Sequence, residues 1–187
     1  MNQTLLVIDT QQELIDGNQK EPAVFNKDQL IININFLINK AMKSGIPIIF
    51  VRDLDVADGK GRGFQIHNKI NVPTDVTVFD KTATNAFHGT GLLSHLESHG
   101  IEHLVIVGCK TQHCIDSAVR TATINGFDVT LVSDAHSTTD SDLLSAEQII
   151  NHHNETLHGH YNIEHFSIVR PSKEDLFIPT HDSYRES

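Results

Sequence analysis

The chain has 187 residues, 39% of them hydrophobic, which indicates a single domain with a full core. Fourteen Lys and Arg against 24 Asp and Glu give a net charge of −10, which disfavours a nucleic-acid partner. No stretch approaches the roughly 20 apolar residues of a membrane span, and we find no secretory signal pattern. The two cysteines lie too close in sequence for a disulfide between them to stabilise the fold. Without a secretory signal, we therefore expect a cytoplasmic protein. Because no span is predicted, we expect no membrane partner.

Six short apolar runs alternate mostly with helical patterns along the chain. The predicted buried strands are Leu5–Ile8, Ile48–Val51, Val76–Phe79, Leu104–Val107, Val129–Val132 and Phe166–Val169. Helices are predicted after Asn26, over Gly91–His99, from Thr111 to Gly126 and from Ser141 or Asp142 to Ile150. This order is typical of an α/β domain with a six-stranded parallel sheet and helices on both faces, a three-layer α/β/α architecture. We expect one domain over residues 1–187, with 171–187 as a C-terminal tail.

The turn after the first strand excludes one large class of cofactor site. It reads DTQQELID and contains no glycine before Gly17. A dinucleotide fingerprint needs glycines at this turn so that the backbone can approach a pyrophosphate. We therefore expect no nicotinamide or flavin cofactor here, and the sequence suggests no other cofactor.

Cys114 is placed where a cysteine can become reactive. The strand Leu104–Val107 ends at Gly108, and Thr111 can cap a helix whose first turn contains Cys114. Free N–H groups and the positive end of the helix dipole stabilise a thiolate, and the same N–H groups can hold a developing oxyanion. The alternative is a small buried core residue, which is the usual role of a free cysteine.

Asp9, Lys81 and Cys114 each follow the carboxyl end of a predicted strand. Open parallel sheets bind ligands at that edge, where the strand order reverses. A carboxylate, an amine and a thiol are types of group that catalyse reactions, so their presence at one edge suggests a catalytic site. Taken singly, Asp9 could be a helix-capping acid and Lys81 a solvated loop residue.

Three separated blocks carry a family resemblance. The chain resembles the isochorismatase-like cysteine hydrolases from Leu5 to about His165, through the segments LLVIDTQ, KTATNAFHGTGL and VGCKTQHCIDSAVRTATINGFDVTLVSDA. The segment SDAHSTTDSDLLSAEQIINHHNETL further resembles the branch of small bacterial cysteine hydrolases that includes streptothricin hydrolase. The expected sheet order is 3-2-1-4-5-6.

The resemblance implies a role for each member of the set. Asp9 matches the general base, Lys81 the lysine after the third strand and Cys114 the nucleophile. A cis peptide is implied at Cys109–Lys110, which would turn the Lys110 N–H toward the site. The backbone N–H groups of Lys110 and Cys114 would then form the oxyanion hole, and Thr111 would cap through the N–H of His113 instead. The implied reaction is hydrolysis of a C–N bond in a small amide or lactam through a thioester.

The sequence identifies the substrate-binding residues less clearly than the catalytic residues. We expect Phe87 to line the pocket, with Leu14 and the loop Arg52–Gly63 as further candidates. Gln11 could contact the ligand or simply lie at the surface, where glutamines are mostly found. Asn85 stands where the family often has serine, so pocket contacts can differ from those of relatives.

Several rival functions stay open at this point. Isochorismate-type vinyl-ether hydrolysis does not need a thiol nucleophile, whereas Cys114 favours amide chemistry. Nicotinamidases of the superfamily bind a metal through an aspartate and two histidines after the second strand. Here that region contains His67 without an Asp-x-His motif, so we expect no metal. A non-catalytic binding module on the same fold is a further alternative.

Small-molecule binding and self-association complete the expected partners. The resemblance implies a homodimer or higher homo-oligomer. The apolar cluster Leu176–Ile178 in a polar tail offers surface that a second copy could bury. The alternative is a tail that packs on its own subunit.

Overall fold

The computed structural model describes residues 2–186. The strands are β1 (Gln3–Ile8), β2 (Ile48–Asp53), β3 (Thr77–Lys81), β4 (His103–Cys109), β5 (Asp128–Ser137), β6 (Tyr161–Asn162) and β7 (His165–Arg170). The α-helices are α1 (Gln12–Asp16), α2 (Lys27–Lys43), α3 (Gly61–Phe64), α4 (Leu92–Ser98), α5 (Asp116–Ile124), α6 (Ala146–Leu157) and α7 (His181–Arg185). A 3₁₀ turn covers Val56–Gly59, and a π-helical turn covers Thr111–Ile115.

One sheet in the order β3-β2-β1-β4-β5-β7-β6 forms the centre of the molecule. The six predicted strands are all present and pair in parallel, in the predicted order. A seventh strand, β6, was not predicted. It has only two residues and pairs antiparallel with β7 as a short hairpin, so no apolar pattern marked it.

Two apolar layers pack on opposite faces of this sheet. One face is covered by α2, whose buried side chains include Leu30, Ile34 and Leu37. The other face is covered by α4 and α5, through residues such as Leu96 and Val119. The buried strands alternate their side chains between these layers, which is why they read as continuous apolar runs. The predicted α/β/α layering is confirmed.

Gly108 allows β4 to lie close to β1 near the strand ends. Its φ is +125°, a conformation that side chains rarely adopt. A Cβ atom at this position would lie 1.9 Å from the carbonyl oxygen of Ile8. Any larger residue would therefore push apart the two strands between which the sheet order reverses.

Two helix caps differ from the sequence prediction. Asn26 precedes α2 in the left-handed conformation, with φ 50°, and its side chain makes no capping hydrogen bond. The later helix begins at Ala146, capped by Ser145, instead of at Ser141 or Asp142. Ser145 and Gln148 bind reciprocally in a capping box, which fixes the start of that helix.

The C-terminal tail packs largely on its own subunit. Leu176 is fully buried and Phe177 nearly so, in the core layer beneath α2, and Gln3 Nε2 donates to the Phe177 carbonyl at 2.8 Å. Ile178 alone of the three stays exposed. The cluster therefore does not provide the apolar surface expected for self-association, and the homo-oligomer remains a prediction from the family resemblance. Between residues 2 and 186, no helix combines the length and apolar character needed to cross a membrane.

Candidate active site

Four strand ends meet where the sheet order reverses. Asp9 directly follows β1, while Asp53, Lys81 and Cys109 are the last residues of β2, β3 and β4. Asp53 and Lys81 are register partners in the parallel pair β2/β3, and Ile8 is the partner of Gly108 in β1/β4. Parallel register thus places an acid, a second acid and an amine at one edge.

Lys81 is the centre of this cluster. Its side chain is fully buried, and its Nζ lies 2.9 Å from Asp9 Oδ2 and 3.5 Å from Cys114 Sγ. The Asp53 carboxylate also pairs with Nζ. Burying a lone ammonium is costly, so these contacts are what allow a buried lysine here. The structure therefore brings together the three residues that the sequence marked as catalytic.

The protonation of Asp9 and Cys114 is set by burial. Burial raises the pKa of Asp9 from 3.8 to about 6, although the Lys81 charge opposes the rise. Burial and the neighbouring Asp9 carboxylate raise the pKa of the Cys114 thiol to about 12. The sequence suggested that the helix N-terminus would favour the thiolate and so lower this pKa, and the Lys81 charge does act in that direction without outweighing the rise. The reason for the difference is that Cys114 is only 8% exposed and contacts a carboxylate.

Lys81 stays charged in this environment. Burial opposes the ammonium form, but the Asp9 charge, the interaction with Cys114 and the contact with Asp53 outweigh it and raise the pKa of Lys81. The resting site therefore holds an ammonium, a thiol and a carboxylate base whose pKa lies near neutrality. A base with a raised pKa accepts a proton more readily than an ordinary carboxylate, so Asp9 is suited to general base catalysis.

The backbone before Cys114 is unusual in the way that the resemblance implied. The Cys109–Lys110 peptide is cis. Cys114 lies in the π-helical turn Thr111–Ile115, and α5 begins two residues after it. Thr111 does not cap this turn, because its Oγ1 is bonded to His136 Nδ1 at 2.9 Å. The oxyanion-hole roles of the Lys110 and Cys114 N–H groups remain a prediction.

The structure places the three expected substrate contacts, Leu14, Phe87 and Gln11, in different surroundings. Leu14 lines a cavity of about 220 Å³ that reaches Asp53 and Lys110. Phe87 does not line this cavity. It is buried in the same apolar layer as Cys114 and lies beside the ring of Phe127.

Gln11 is neither a surface residue nor exposed to a ligand. It is fully buried, its Nε2 donates to the Asp53 carbonyl at 2.8 Å, and its Oε1 accepts from the Asp53 N–H at 2.8 Å. Both polar groups of the side chain are thus used to hold the backbone at the end of β2. Gln11 positions Asp53, which in turn contacts Lys81.

The site residues do not fit the metal centre known for nicotinamidases. The nearly fully buried His67 uses one ring nitrogen toward Asp16, at 3.3 Å, and the other to accept from the Lys69 N–H at 3.2 Å. Asp9, Asp53 and Cys114 offer donor atoms within 4.8 Å of one another, a grouping that could hold an ion. Lys81 contacts all three of these side chains, so its ammonium already supplies the positive charge.

Sequence reasoning missed the part that Asp53 plays with Lys81. Asp53 lies at the carboxyl end of β2, beside the strand that carries Lys81, and this position was a usable signal. It also missed His136, which lies in the part of β5 that extends beyond the predicted run Val129–Val132. His136 is buried and bridges Thr111 and Asn154 with hydrogen bonds of 2.9 Å each.

Comparison with known proteins places the chain in a family. A model of the isochorismatase domain matches residues 3–153. The chain is 28% identical over 145 residues to the uncharacterized isochorismatase family protein YddQ of Bacillus subtilis, covering 74% of this chain and 79% of that protein. It is 26% identical over 146 residues to streptothricin hydrolase of Streptomyces noursei, covering 74% of this chain and 55% of the hydrolase.

Solved structures share the fold across nearly the whole chain. The crystal structure of an isochorismatase from Pseudomonas putida superimposes with a TM-score of 0.79 at 28% identity, covering 91% of this chain and 88% of that one. N-carbamoylsarcosine amidase from Thermoplasma acidophilum superimposes with a TM-score of 0.73 at 21% identity, covering 93% and 98%, a likeness of fold. With the domain match over most of its length, this chain belongs to the isochorismatase family of hydrolases.

Proposed function

We propose that this protein is a cysteine hydrolase that cleaves a C–N bond of a small amide or lactam through a thioester. The contact of Lys81 Nζ with both Asp9 Oδ2 and Cys114 Sγ carries the proposal. The names of two similar proteins, streptothricin hydrolase and N-carbamoylsarcosine amidase, support C–N hydrolysis as the reaction class. Enzymes of this type need a nucleophile, a base within reach of it and a group that stabilises the charges formed.

The first half of the reaction acylates Cys114. Asp9 takes the thiol proton as Cys114 Sγ attacks the carbonyl carbon, because the raised pKa of the thiol keeps it protonated until attack. The carbonyl oxygen becomes an oxyanion that the Lys110 and Cys114 N–H groups hold. Collapse of this intermediate breaks the C–N bond. The amine leaves with the proton from Asp9, and the acyl group stays on sulfur as a thioester.

The second half returns the free enzyme. Asp9, again a carboxylate, takes a proton from water as the water oxygen attacks the thioester carbonyl. The C–S bond breaks, the acid product leaves and Cys114 recovers a proton from Asp9. Lys81 keeps its positive charge throughout and stabilises the anionic partner, whether it is the Asp9 carboxylate or the thiolate.

The experiment combines a substrate panel with trapping of the intermediate. Purified protein is assayed on small amides, lactams and isochorismate, and brief quenching followed by mass spectrometry detects an acyl adduct on the peptide that contains Cys114. Cys114→Ala should abolish turnover and the adduct. Asp9→Asn and Lys81→Ala should each reduce kcat by roughly 10²–10⁴-fold, and the losses should not add, because the residues act as a unit.

Cys109 provides the matched control. It is fully buried, and burial and the Asp9 charge raise its pKa well above the usual thiol value. Brief alkylation at neutral pH should label Cys114 first, and Cys109→Ala should leave this labelling in place. Hydrolysis by Cys114→Ala near the wild-type rate, or turnover of isochorismate with no acyl adduct and no amide activity, would overturn the thioester mechanism.

A further inference from the structure

The cavity beside the catalytic cluster has strongly charged walls. It measures about 220 Å³, and its charged lining residues are Glu13, Glu21, Asp53, Asp55 and Lys110. Asp53 contacts Lys81, and Lys110 follows the cis peptide that leads to Cys114. A molecule in this cavity would therefore lie next to the proposed reaction centre.

The carboxylates in the cavity outnumber its cations. Lys110 Nζ lies 2.6 Å from Glu21 Oε2, so one acid already neutralises this amine, and Asp53 is paired with Lys81. Glu13 accepts a hydrogen bond from Asn18 Nδ2 at 2.8 Å, a neutral partner. Within residues 2–186, neither Glu13 nor Asp55 forms an ion pair with a basic side chain. Two negative charges thus face the cavity without a cation.

The overall acidity of the chain does not account for this lining. Four of the nine lining residues are acidic, whereas the whole sequence has 24 acids among 187 residues. The remaining wall includes the apolar side chains of Leu14, Val56 and Ala57. Such a mixture suits a ligand with an aliphatic part that ends in a positive charge, since the apolar wall takes the chain and the acids take the cation.

We propose that the substrate of this site carries a cationic group, an ammonium or guanidinium, which Glu13 and Asp55 bind while the amide carbonyl reaches Cys114. This inference rests on the proposed function for the position of the carbonyl. The charge preference itself depends on the cavity alone. A neutral substrate would leave both carboxylates unpaired, and an anionic one would be repelled by them.

Three amides that differ only in charge test the proposal. 6-Aminohexanamide, heptanamide and the monoamide of heptanedioic acid share a five-methylene chain that ends in an ammonium, a methyl and a carboxylate group. Binding to the Cys114→Ala protein is measured by calorimetry, and kcat/KM is measured with the wild-type protein. We expect the cation to bind about tenfold or more tightly than the neutral amide, and the anion to bind weakest. The difference should shrink in 1 M salt, because salt screens these charges.

A double variant tests whether Glu13 and Asp55 cause the preference for the cationic amide. Glu13→Gln with Asp55→Asn should bring the ratio of cationic to neutral binding close to one. Asp75→Asn removes an exposed carboxylate outside the cavity and should leave the ratio unchanged. Circular dichroism spectra that match wild type would show that the variants fold.

The outcomes separate this proposal from the thioester mechanism. Equal affinity for the three amides, preference for the anion, or no binding of the cation at millimolar concentration would overturn the charge preference. Hydrolysis of the neutral amide would still support the thioester route. Preferential binding of the cation without any hydrolysis would support the cationic site and count against the proposed function.

Discussion

Gln11 holds the backbone of Asp53 through both ends of its amide group, with two hydrogen bonds of 2.8 Å. A side chain from the turn after β1 thereby pairs with the end of β2 as a neighbouring strand would. This contact fixes the residue whose carboxylate binds Lys81, which in turn contacts Asp9 and Cys114. The order of the active site thus depends on a residue that touches none of the reacting atoms.

Replacement of Gln11 by leucine should loosen the site and destabilise the fold. Both hydrogen bonds are lost, and the N–H and C=O of Asp53 lose their Gln11 partners. A buried polar group left unpaired costs about 1–3 kcal/mol of unfolding free energy. Urea unfolding should show this loss, and kcat should fall with it. Gln19→Leu, at an exposed glutamine in the same segment, is the control and should change neither. Wild-type stability in Gln11→Leu would contradict the role assigned to these bonds.

The sheet could be predicted from the sequence because its strands are buried on both faces. Short continuous apolar runs such as Leu5–Ile8 are typical of buried parallel strands, and the resemblance supplied their order. The ends of the strands were harder to predict. In β3, Asp80 and Lys81 continue the hydrogen-bonded strand although both are charged. The prediction ended this strand before its first charged residue, whereas the backbone hydrogen bonds to β2 continue through Lys81.

The catalytic residues could be identified, but not the balance of charges around them. Residue types and strand ends pointed to Asp9, Lys81 and Cys114. The pKa of Cys114 depends on how deeply the thiol is buried and on its contact with Asp9, and neither quantity can be obtained from residue order. The role of Gln11 could not be predicted for a similar reason, because nothing in the order of residues indicates that this glutamine is fully buried against the end of β2.

The pH dependence of activity should report the raised pKa of Asp9. A protonated Asp9 cannot take the thiol proton, so kcat/KM for a neutral amide should fall as the pH drops through about 6. An ordinary aspartate would hold this activity down to about pH 4. The Asp53 charge contributes to the rise in the pKa of Asp9, so Asp53→Asn should shift the fall in kcat/KM to lower pH. If kcat/KM of the wild-type protein fell only near pH 4, in protein that circular dichroism shows to be folded, the raised pKa of Asp9 would be contradicted.

Buried histidines should make the fold less stable in acid. Burial lowers the pKa of His136 from 6.5 to about 4. The unfolded chain therefore gains a proton between pH 6.5 and 4 that the folded chain excludes. This effect is absent above pH 6.5, and it lowers the unfolding free energy as the pH falls through that window, by at most about 3 kcal/mol. Burial also lowers the pKa of His103, to about 3, which adds to the slope.

Unfolding by urea at several pH values measures this effect. His136→Gln should remove part of the slope between pH 6.5 and 4, because glutamine does not titrate. His88→Gln, at an exposed histidine, is the control and should leave the slope as in wild type. An identical slope in His136→Gln and wild type would show that His136 does not contribute.

Lys81 should keep metal ions out of the site, and its removal should let them in. Wild-type activity is expected to be unchanged after treatment with a chelator, since the Lys81 ammonium neutralises Asp9 and Asp53. Lys81→Ala leaves two carboxylates and a thiol with donor atoms within 4.8 Å of one another, a set of ligand types that zinc accepts. Loss of the ammonium also leaves buried negative charge uncompensated, which should lower the melting temperature. Zinc should then raise the melting temperature of Lys81→Ala but not of wild type. Cys114→Ala combined with Lys81→Ala is the control and should lose most of the zinc response. Stoichiometric zinc in the wild-type protein, with activity lost on its removal, would show that the lysine does not replace the metal.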